Sequence, residues 1–242
     1  MTAFIFDMDG TIVDNMSFHL EAWRAFFAER GINFGGDGLW AHITGRSSPE
    51  TLRAVLGEHL SDELVASYSD DKERIYRAIY RPHLRPIAGL ERFLSEARQL
   101  GVSMALATSA GRVNIEFVVG GLGIGPFFSA IVGSDDVPRG KPHPDLFLTA
   151  AQRLAVRAGD CLVFEDSLSG IEAAGRAGMR AVAITTAHAA SELSAPSVVR
   201  VIRDYTSLDP ASLREWATSK YDWCCEADLR FTAEARRARR TL

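Results

Sequence analysis

The stretch Phe4-Ile5-Phe6-Asp7-Met8-Asp9-Gly10-Thr11 constrains the chain more than any other. Residues 3–6 form a short apolar run, with Phe and Ile at positions that favour a buried strand. The run stops at Asp7, a second carboxylate follows at Asp9, and Gly10 then permits a turn that a side chain would restrict. An isolated D-x-D-G also occurs as a pair of solvated turn acids. In an open α/β sheet, however, ligands bind beyond the carboxyl ends of the strands, where these two acids would project. Two carboxylates this close repel unless a cation sits between them or one holds a proton. That demand points to a hard divalent metal with oxygen ligands, and to Mg²⁺ where the substrate is a phosphate.

Beyond this stretch the texture divides. Residues from about 15 to 82 read as almost entirely helical. Phe18, Ala22, Trp23, Phe26 and Phe27 share a face that Gly31 ends. Leu52, Val55 and Leu56 form another stripe, as do Leu64, Val65 and Tyr68, then Ile75, Tyr76 and Ile79. No β-rich run interrupts them, so they cannot belong to a doubly wound sheet and read as an inserted helical cap. From Pro86 strand and helix alternate. Residues 102–107, 130–132, 161–164, 181–184 and 198–202 are apolar runs of strand type, and 90–100, 114–122, 145–154 and 171–177 are helical. Alternation of this kind implies parallel βαβ units. The expected organisation is an α/β core over 1–14 and 86–210, a helical cap over 15–85, and a helical tail over 211–242.

A net charge of −4 gives no electrostatic reason to expect a nucleic-acid partner. No apolar run approaches the roughly 18 residues of a membrane span. Asp7, Asp9 and Asp14 interrupt the apolar N-terminal segment, which argues against a secretory signal. Cys161, Cys224 and Cys225 make no disulfide framework and suit a reducing compartment, so a cytoplasmic enzyme is expected. The terminal Arg236-Arg237-Ala238-Arg239-Arg240 cluster reads as a solvated end. A monomer or weak dimer is the expected state.

Three further signals end apolar strands. Thr108-Ser109 precedes a helix, where a hydroxyl can cap the helix and, with its free amides, hold a phosphate. Lys141 stands in Gly140-Lys141-Pro142-His143-Pro144-Asp145, a loop stiffened by two prolines. Glu165-Asp166-Ser167 closes the strand at 161–164 with two more acids. Gly120-Gly121-Leu122-Gly123-Ile124-Gly125 follows a helix instead of a strand, and so reads as a helix terminator and loop.

In chain order these signals are D-x-D-G-T, a strand ending in Thr-Ser, G-K-P-x-P-D, and a strand ending in E-D-S. The set resembles the four signature loops of the haloacid dehalogenase-like superfamily over residues 1 to about 205, with a cap of its C1 type. The resemblance implies a Rossmann-like parallel sheet with the inserted helical cap, and a Mg²⁺-dependent phosphotransferase acting on a small phosphorylated metabolite. It implies Asp7 as nucleophile, Asp9 as general acid/base, and Thr108 with Lys141 as phosphate binders, Ser109 standing beside them. The metal would be held by Asp7, the Asp9 carbonyl, Glu165 and Asp166.

Asp14-Asn15-Met16-Ser17-Phe18-His19-Leu20-Glu21-Ala22-Trp23 is further similar to the β-phosphoglucomutase-like branch. By that likeness His19, Lys72 (four before Tyr76) and Arg46 of Gly45-Arg46 would read the substrate. Ser48 stands where the mutases align a cap arginine, and Thr11 accompanies phosphatases more than mutases. A sugar-phosphate phosphatase is therefore expected, with a phosphoglucomutase-type isomerase as the alternative. A dehalogenase would need neither Asp9 nor Mg²⁺, and a binding protein on a retired enzyme fold would not keep every catalytic side chain.

Overall fold

The computed structural model describes residues 2–32 and 43–218, with side chains through Arg214. The Cys224-Cys225 pair and the Arg236–Arg240 cluster lie outside the described residues. β1 (Ala3–Phe6) is the apolar run before Asp7, and all four of its residues are buried. After it come α1 (Met16–Glu29), α2 (Ser48–Leu56) and α3 (Asp62–Tyr80). The stripes around Tyr68 and Tyr76 belong to one nineteen-residue helix, not to two short ones. Neither Gly nor Pro interrupts it.

The rest alternates. It runs through α4 (Leu90–Gln99), β2 (Ser103–Ala107), α5 (Arg112–Ile115), β3 (Ala130–Val132), α6 (Asp145–Arg153), β4 (Cys161–Glu165), α7 (Leu168–Arg176), β5 (Arg180–Ile184), β6 (Val198–Ile202) and α8 (Pro210–Thr218). The helix expected over 114–122 is different in kind. Four α-helical residues pass into a π-helical turn at Glu116–Gly120, where wider hydrogen bonding replaces the α pattern. Hydrophobic periodicity over so short a span does not separate the two.

The six strands form one parallel sheet in the order β3-β2-β1-β4-β5-β6. β1 is central, with Phe6 level with Leu106 on one side and Phe164 on the other. Chain order reverses across the β1–β4 junction, and in sheets of this type the crevice at such a reversal takes the ligand. Alternation along each strand divides the core. Phe4, Phe6, Leu106 and Phe164 pack with Phe93 and Tyr205 on one face; Ala3, Ile5, Ala105 and Val163 pack with Phe147 and Ala150 on the other. α4 shows why such helices cover the sheet: Leu90, Phe93, Leu94 and Ala97 recur at i, i+3, i+4 and i+7 and are all buried. Each large side chain so buried contributes roughly 1.5–3 kcal/mol. Around Trp23, Phe26, Phe27, Leu52 and Val65, the helices α1–α3 enclose a separate apolar cluster.

The turn after Asp9 is tied to both sides of the crevice. Gly10 has φ +77°, its N–H donates to the Val13 carbonyl at 2.7 Å, and its own carbonyl accepts from Thr186 Oγ1 at 2.5 Å. A Cβ at Gly10 would stand 1.9 Å from Asp166 Oδ2, whereas one at Gly31 (φ +64°) would meet nothing within 4 Å. Both alanine substitutions strain the backbone, but only Gly10→Ala also collides with a buried carboxylate. Thermal melts should show Gly10→Ala losing at least about 1 kcal/mol more than Gly31→Ala. Equal losses would mean that the approach of Asp166 is without cost.

Candidate active site

Asp7 continues the β1 ladder, its N–H donating to the Phe164 carbonyl at 3.0 Å, so its side chain enters the crevice beside the end of β4. Lys141, from the loop before α6, reaches the same point. Its Nζ donates to Asp7 Oδ1 at 2.6 Å and to Glu165 Oε2 at 2.7 Å, with all three groups buried. Glu165 Oε1 accepts from the backbone N–H groups of Asp166 (3.2 Å) and Ser167 (3.0 Å) and from Ser167 Oγ (2.7 Å). Ser167 caps α7 by accepting from the Gly170 N–H, so Glu165 sits at a helix N-terminus, where the dipole favours an anion. Gly170 leaves the room: a Cβ there would lie 2.1 Å from the Glu165 carboxyl carbon.

Asp7, Glu165 and Asp166 each offer an oxygen within 4.8 Å of the others. Burial, with Glu165 and Asp9 nearby, pushes the Asp7 carboxyl up to about 8 even though Lys141 opposes the shift. Asp166 is raised well above its ordinary range by burial and by its acidic neighbours Glu165 and Asp7. Burial also works against the Lys141 charge, but Asp7 and Glu165 outweigh it and hold its pKa above the ordinary lysine value. One ammonium does not balance three buried carboxylates. An all-oxygen, acid-rich cluster of buried side chains fits a hard divalent cation.

The Asp9 side chain takes no part in that cluster, and the ligand expected of Asp9 is its backbone carbonyl. Its Oδ1 accepts from Asn15 Nδ2 at 2.5 Å and lies 3.6 Å from His19 Nε2. Asn15 is a hub: Oδ1 accepts from the Gly10 N–H at 3.2 Å, and Nδ2 also donates to Tyr76 Oη at 2.6 Å. Lys72 Nζ lies 2.8 Å from His19 Nδ1. An ammonium can only donate, so Nδ1 is the acceptor and a neutral ring carries its proton on Nε2, facing Asp9. Burial opposes the Asp9 charge, yet His19 and Asn15 outweigh it and hold the carboxyl below its ordinary range.

Thr108 is buried at the end of β2, and its Oγ1 accepts from the Ala110 N–H at 3.1 Å. It does not cap α5, as its position suggests; Gly111 holds that place. Ser109 Oγ donates to the Gly45 carbonyl at 3.1 Å, joining the β2 loop to the segment before α2. Asp7, Asp9, His19, Arg46, Lys72, Thr108, Ser109, Lys141 and Asp166 all line one cavity of about 390 Å³, and Glu165 lies behind it. Arg46 is exposed on this wall and has no partner among the described residues.

Residues 1–178 match the family model for haloacid dehalogenase-like hydrolases. The chain belongs to that family. As a haloacid dehalogenase-like hydrolase it is 32% identical over 208 residues to the validoxylamine A 7'-phosphate phosphatase of Streptomyces hygroscopicus subsp. limoneus, covering 84% of this chain and 94% of that one. It is 30% identical over 220 residues to the chloroplastic 5-amino-6-(5-phospho-D-ribitylamino)uracil phosphatase of Arabidopsis thaliana. There 90% of this chain is covered, but only 59% of the longer plant protein. Among solved structures it is similar to a β-phosphoglucomutase from Clostridium difficile, with a TM-score of 0.78, 25% identity, and coverage of 90% of this chain and 97% of that one. Among the described residues of this hydrolase, no helix is long and apolar enough to cross a membrane.

Glu73, Asn114 and Asn15 as a ligand hub were not anticipated from the sequence of this hydrolase. Glu73 accepts from Ser48 Oγ, from Lys72 Nζ at 2.9 Å and from Asn114 Nδ2 at 2.5 Å, while Arg77 Nη1 donates to Asn114 Oδ1 at 2.7 Å. The adjacency of Lys72 and Glu73 was the one available signal, and on a helix such neighbours do not face one another. Burial disfavours the Glu73 charge, but Lys72, His19 and Ser48 outweigh it and hold the carboxyl down to about 2. Because this folded value lies below the unfolded one, the stabilisation is fully present above about pH 4.5 and fades as pH falls toward 2. The stability gap between wild type and Glu73→Gln should therefore be constant from pH 7 to 6 and roughly 1 kcal/mol narrower at pH 3.5. Denaturant titrations across that range measure it, and a gap independent of pH would contradict the assignment.

Proposed function

We propose that this hydrolase removes phosphate from a small phosphorylated metabolite, a sugar phosphate, with Asp7 as nucleophile and Mg²⁺ as cofactor. The observation that carries this reading is the pairing of two carboxylates in one cavity under different control. Asp7 is buried against Lys141 at 2.6 Å, and Asp9 is held apart from it by Asn15 and His19. The relatives named as phosphatases support hydrolysis of a phosphate ester.

The acid cluster fits the metal: Asp7, Glu165 and Asp166 with the Asp9 carbonyl would hold Mg²⁺, which when bound offsets the charge of the phosphoryl oxygens. Thr108 and Lys141 hold and polarise the phosphoryl group at the β2 and α6 loops. Asp7 would be ionised with the cation beside it, and a phosphate ester entering as its monoanion would hand its proton to Asp9. The Asp7 carboxylate then attacks phosphorus, the ester P–O bond breaks, and the leaving alcohol takes that proton from Asp9. The product is an acyl phosphate, more reactive toward water than the original ester. Asp9, now ionised, takes the proton of the attacking water, and inorganic phosphate leaves with Asp7 restored. His19 and Asn15 favour the ionised Asp9 that this second step needs.

The segment 15–85 is proposed to act as a lid hinged near Asn15 and residues 82–86. Its closure would exclude water while the ester is bound. Ser109 on Gly45 and Asn114 on Glu73 are polar contacts that join the lid to the sheet loops.

The β-phosphoglucomutase likeness and the His19–Lys72 pair favour a second reading, phosphoryl transfer within a sugar phosphate. A mutase must also hold the phosphate that is not reacting, and a bidentate Arg suits that task. Ser48, at the aligned position, instead donates to Glu73.

Release of inorganic phosphate from a panel of sugar phosphates tests the main reading. Wild type should require Mg²⁺ after EDTA treatment, and Asp7→Asn should lose at least about a thousandfold in kcat while keeping its melting temperature within a few degrees. Turnover of Asp7→Asn within tenfold of wild type, or activity indifferent to chelation, would overturn it. For the second reading, β-glucose 1-phosphate is supplied with Mg²⁺ and a trace of glucose 1,6-bisphosphate. Free phosphate with negligible glucose 6-phosphate is expected, and isomerisation outrunning phosphate release would make the protein a mutase.

A further inference from the structure

Opposite the acid cluster, the buried lysine of the cavity wall is already paired with a carboxylate. Lys72 Nζ sits 2.9 Å from Glu73 Oε1 and 2.8 Å from His19 Nδ1, and Arg77 is turned to Asn114. Glu73 itself lines the cavity. Its donors come from three separate elements: Ser48 at the start of α2, Lys72 beside it on α3, and Asn114 on α5. A carboxylate tied from three directions cannot swing away when a ligand enters. It also stays ionised, since Lys72, His19 and Ser48 hold its carboxyl down to about 2 against the effect of burial. Its charge is felt across the cavity, where it works against ionisation of Asp9 and of Tyr76.

We propose that Glu73 is a specificity-determining residue of this hydrolase: it admits phosphate monoesters whose remote end is neutral and hydroxylated, and rejects those carrying a second anion. The inference rests on the phosphatase reading above and narrows its substrate class. A second phosphate or a carboxylate at this wall would compete with Glu73 for Lys72. Success would leave the half-buried Glu73 charge without its ammonium partner beside the newcomer, which is a costly arrangement. A hydroxyl faces no such conflict. A carboxylate offers about four lone-pair sites, and three are taken, so one can still accept from a sugar or polyol. Arg46 is the counterweight on the same wall, but it is exposed, where solvent and salt weaken its pull on an anion.

Two matched pairs test the inference: fructose 1-phosphate with fructose 1,6-bisphosphate, and glycerol 3-phosphate with 3-phosphoglycerate. For wild type with Mg²⁺, kcat/KM should favour the first member of each pair by about tenfold or more, and Glu73→Gln should shrink both ratios by about fivefold or more. An arm that needs no variant is inhibition of wild-type p-nitrophenyl phosphate hydrolysis by the same four compounds, where the neutral-ended members should be the stronger inhibitors. Ratios in Glu73→Gln within twofold of wild type would overturn the inference. So would wild type that processes or binds the doubly anionic members as well as their partners, which would point to Arg46 as an anion site instead. In both cases phosphate is still released, and only the role of Glu73 falls. No release from any compound, p-nitrophenyl phosphate included, would overturn the phosphatase reading and the inference with it.

Discussion

The structure depends on a single ammonium group. Lys141 lies between Asp7 and Glu165, 2.6 Å from one and 2.7 Å from the other, at the junction of β1 and β4. Burying a carboxylate without compensation costs several kcal/mol, and here three are buried together. The fold tolerates them because of what surrounds each. Glu165 takes three N–H or O–H donors at the start of α7 as well as the ammonium. Asp7 and Asp166 have fewer partners, and burial raises the pKa of both. The imbalance is concentrated where the sheet reverses its chain order, so the fold's least satisfied charges face its crevice.

The same device recurs on the helical side. Lys72 is also buried, and it too serves two partners, His19 and Glu73. It lies 5.0 Å from the Trp23 ring centroid, a contact in which the ring face attracts the ammonium. Asn15 links the two systems, touching Asp9, the Gly10 N–H and Tyr76 at once. Between the helical segment and the sheet domain there are polar bonds such as Ser109 to Gly45, each worth about 1 kcal/mol net, and apolar packing of Tyr76 and Tyr80 against Phe117.

How much of this was legible depended on the distance between partners along the chain. Asp7, Thr108 and Asp166 could be found because each follows an apolar run, and a strand's end is where a polar side chain meets the crevice. Lys141 was visible for the stiff loop around it. The six strands emerged for the same reason, from compact apolar runs broken by helices. By contrast, Asn15 and Tyr76 are 61 residues apart, and Glu73 and Asn114 are 41 apart. No local pattern marks such a pair, since each residue alone fits a helix with a polar face. Hydroxyl residues before helices are often caps, but Thr108 is not one, since two further residues intervene before Gly111.

The two lysines also bear on direction. On the sheet side of the cavity the ammonium is shared by acids that outnumber it, and a proposed cation would add positive charge for a phosphoryl group. On the helical side Lys72 and Glu73 cancel, and Ser48 stands in place of a further cation. Binding energy for an anion is thus concentrated at one end of the cavity. A phosphate ester would enter in one orientation, with its phosphorus at Asp7 and its alcohol toward Glu73. Isomerisation needs the released intermediate to turn end over end and be held by the other phosphate, and the lysine on this wall is already paired with Glu73 while Arg46 is exposed to solvent. Water faces no such barrier once the alcohol has left. The asymmetry of charge between the two ends therefore favours the exit of phosphate over its transfer back to the sugar.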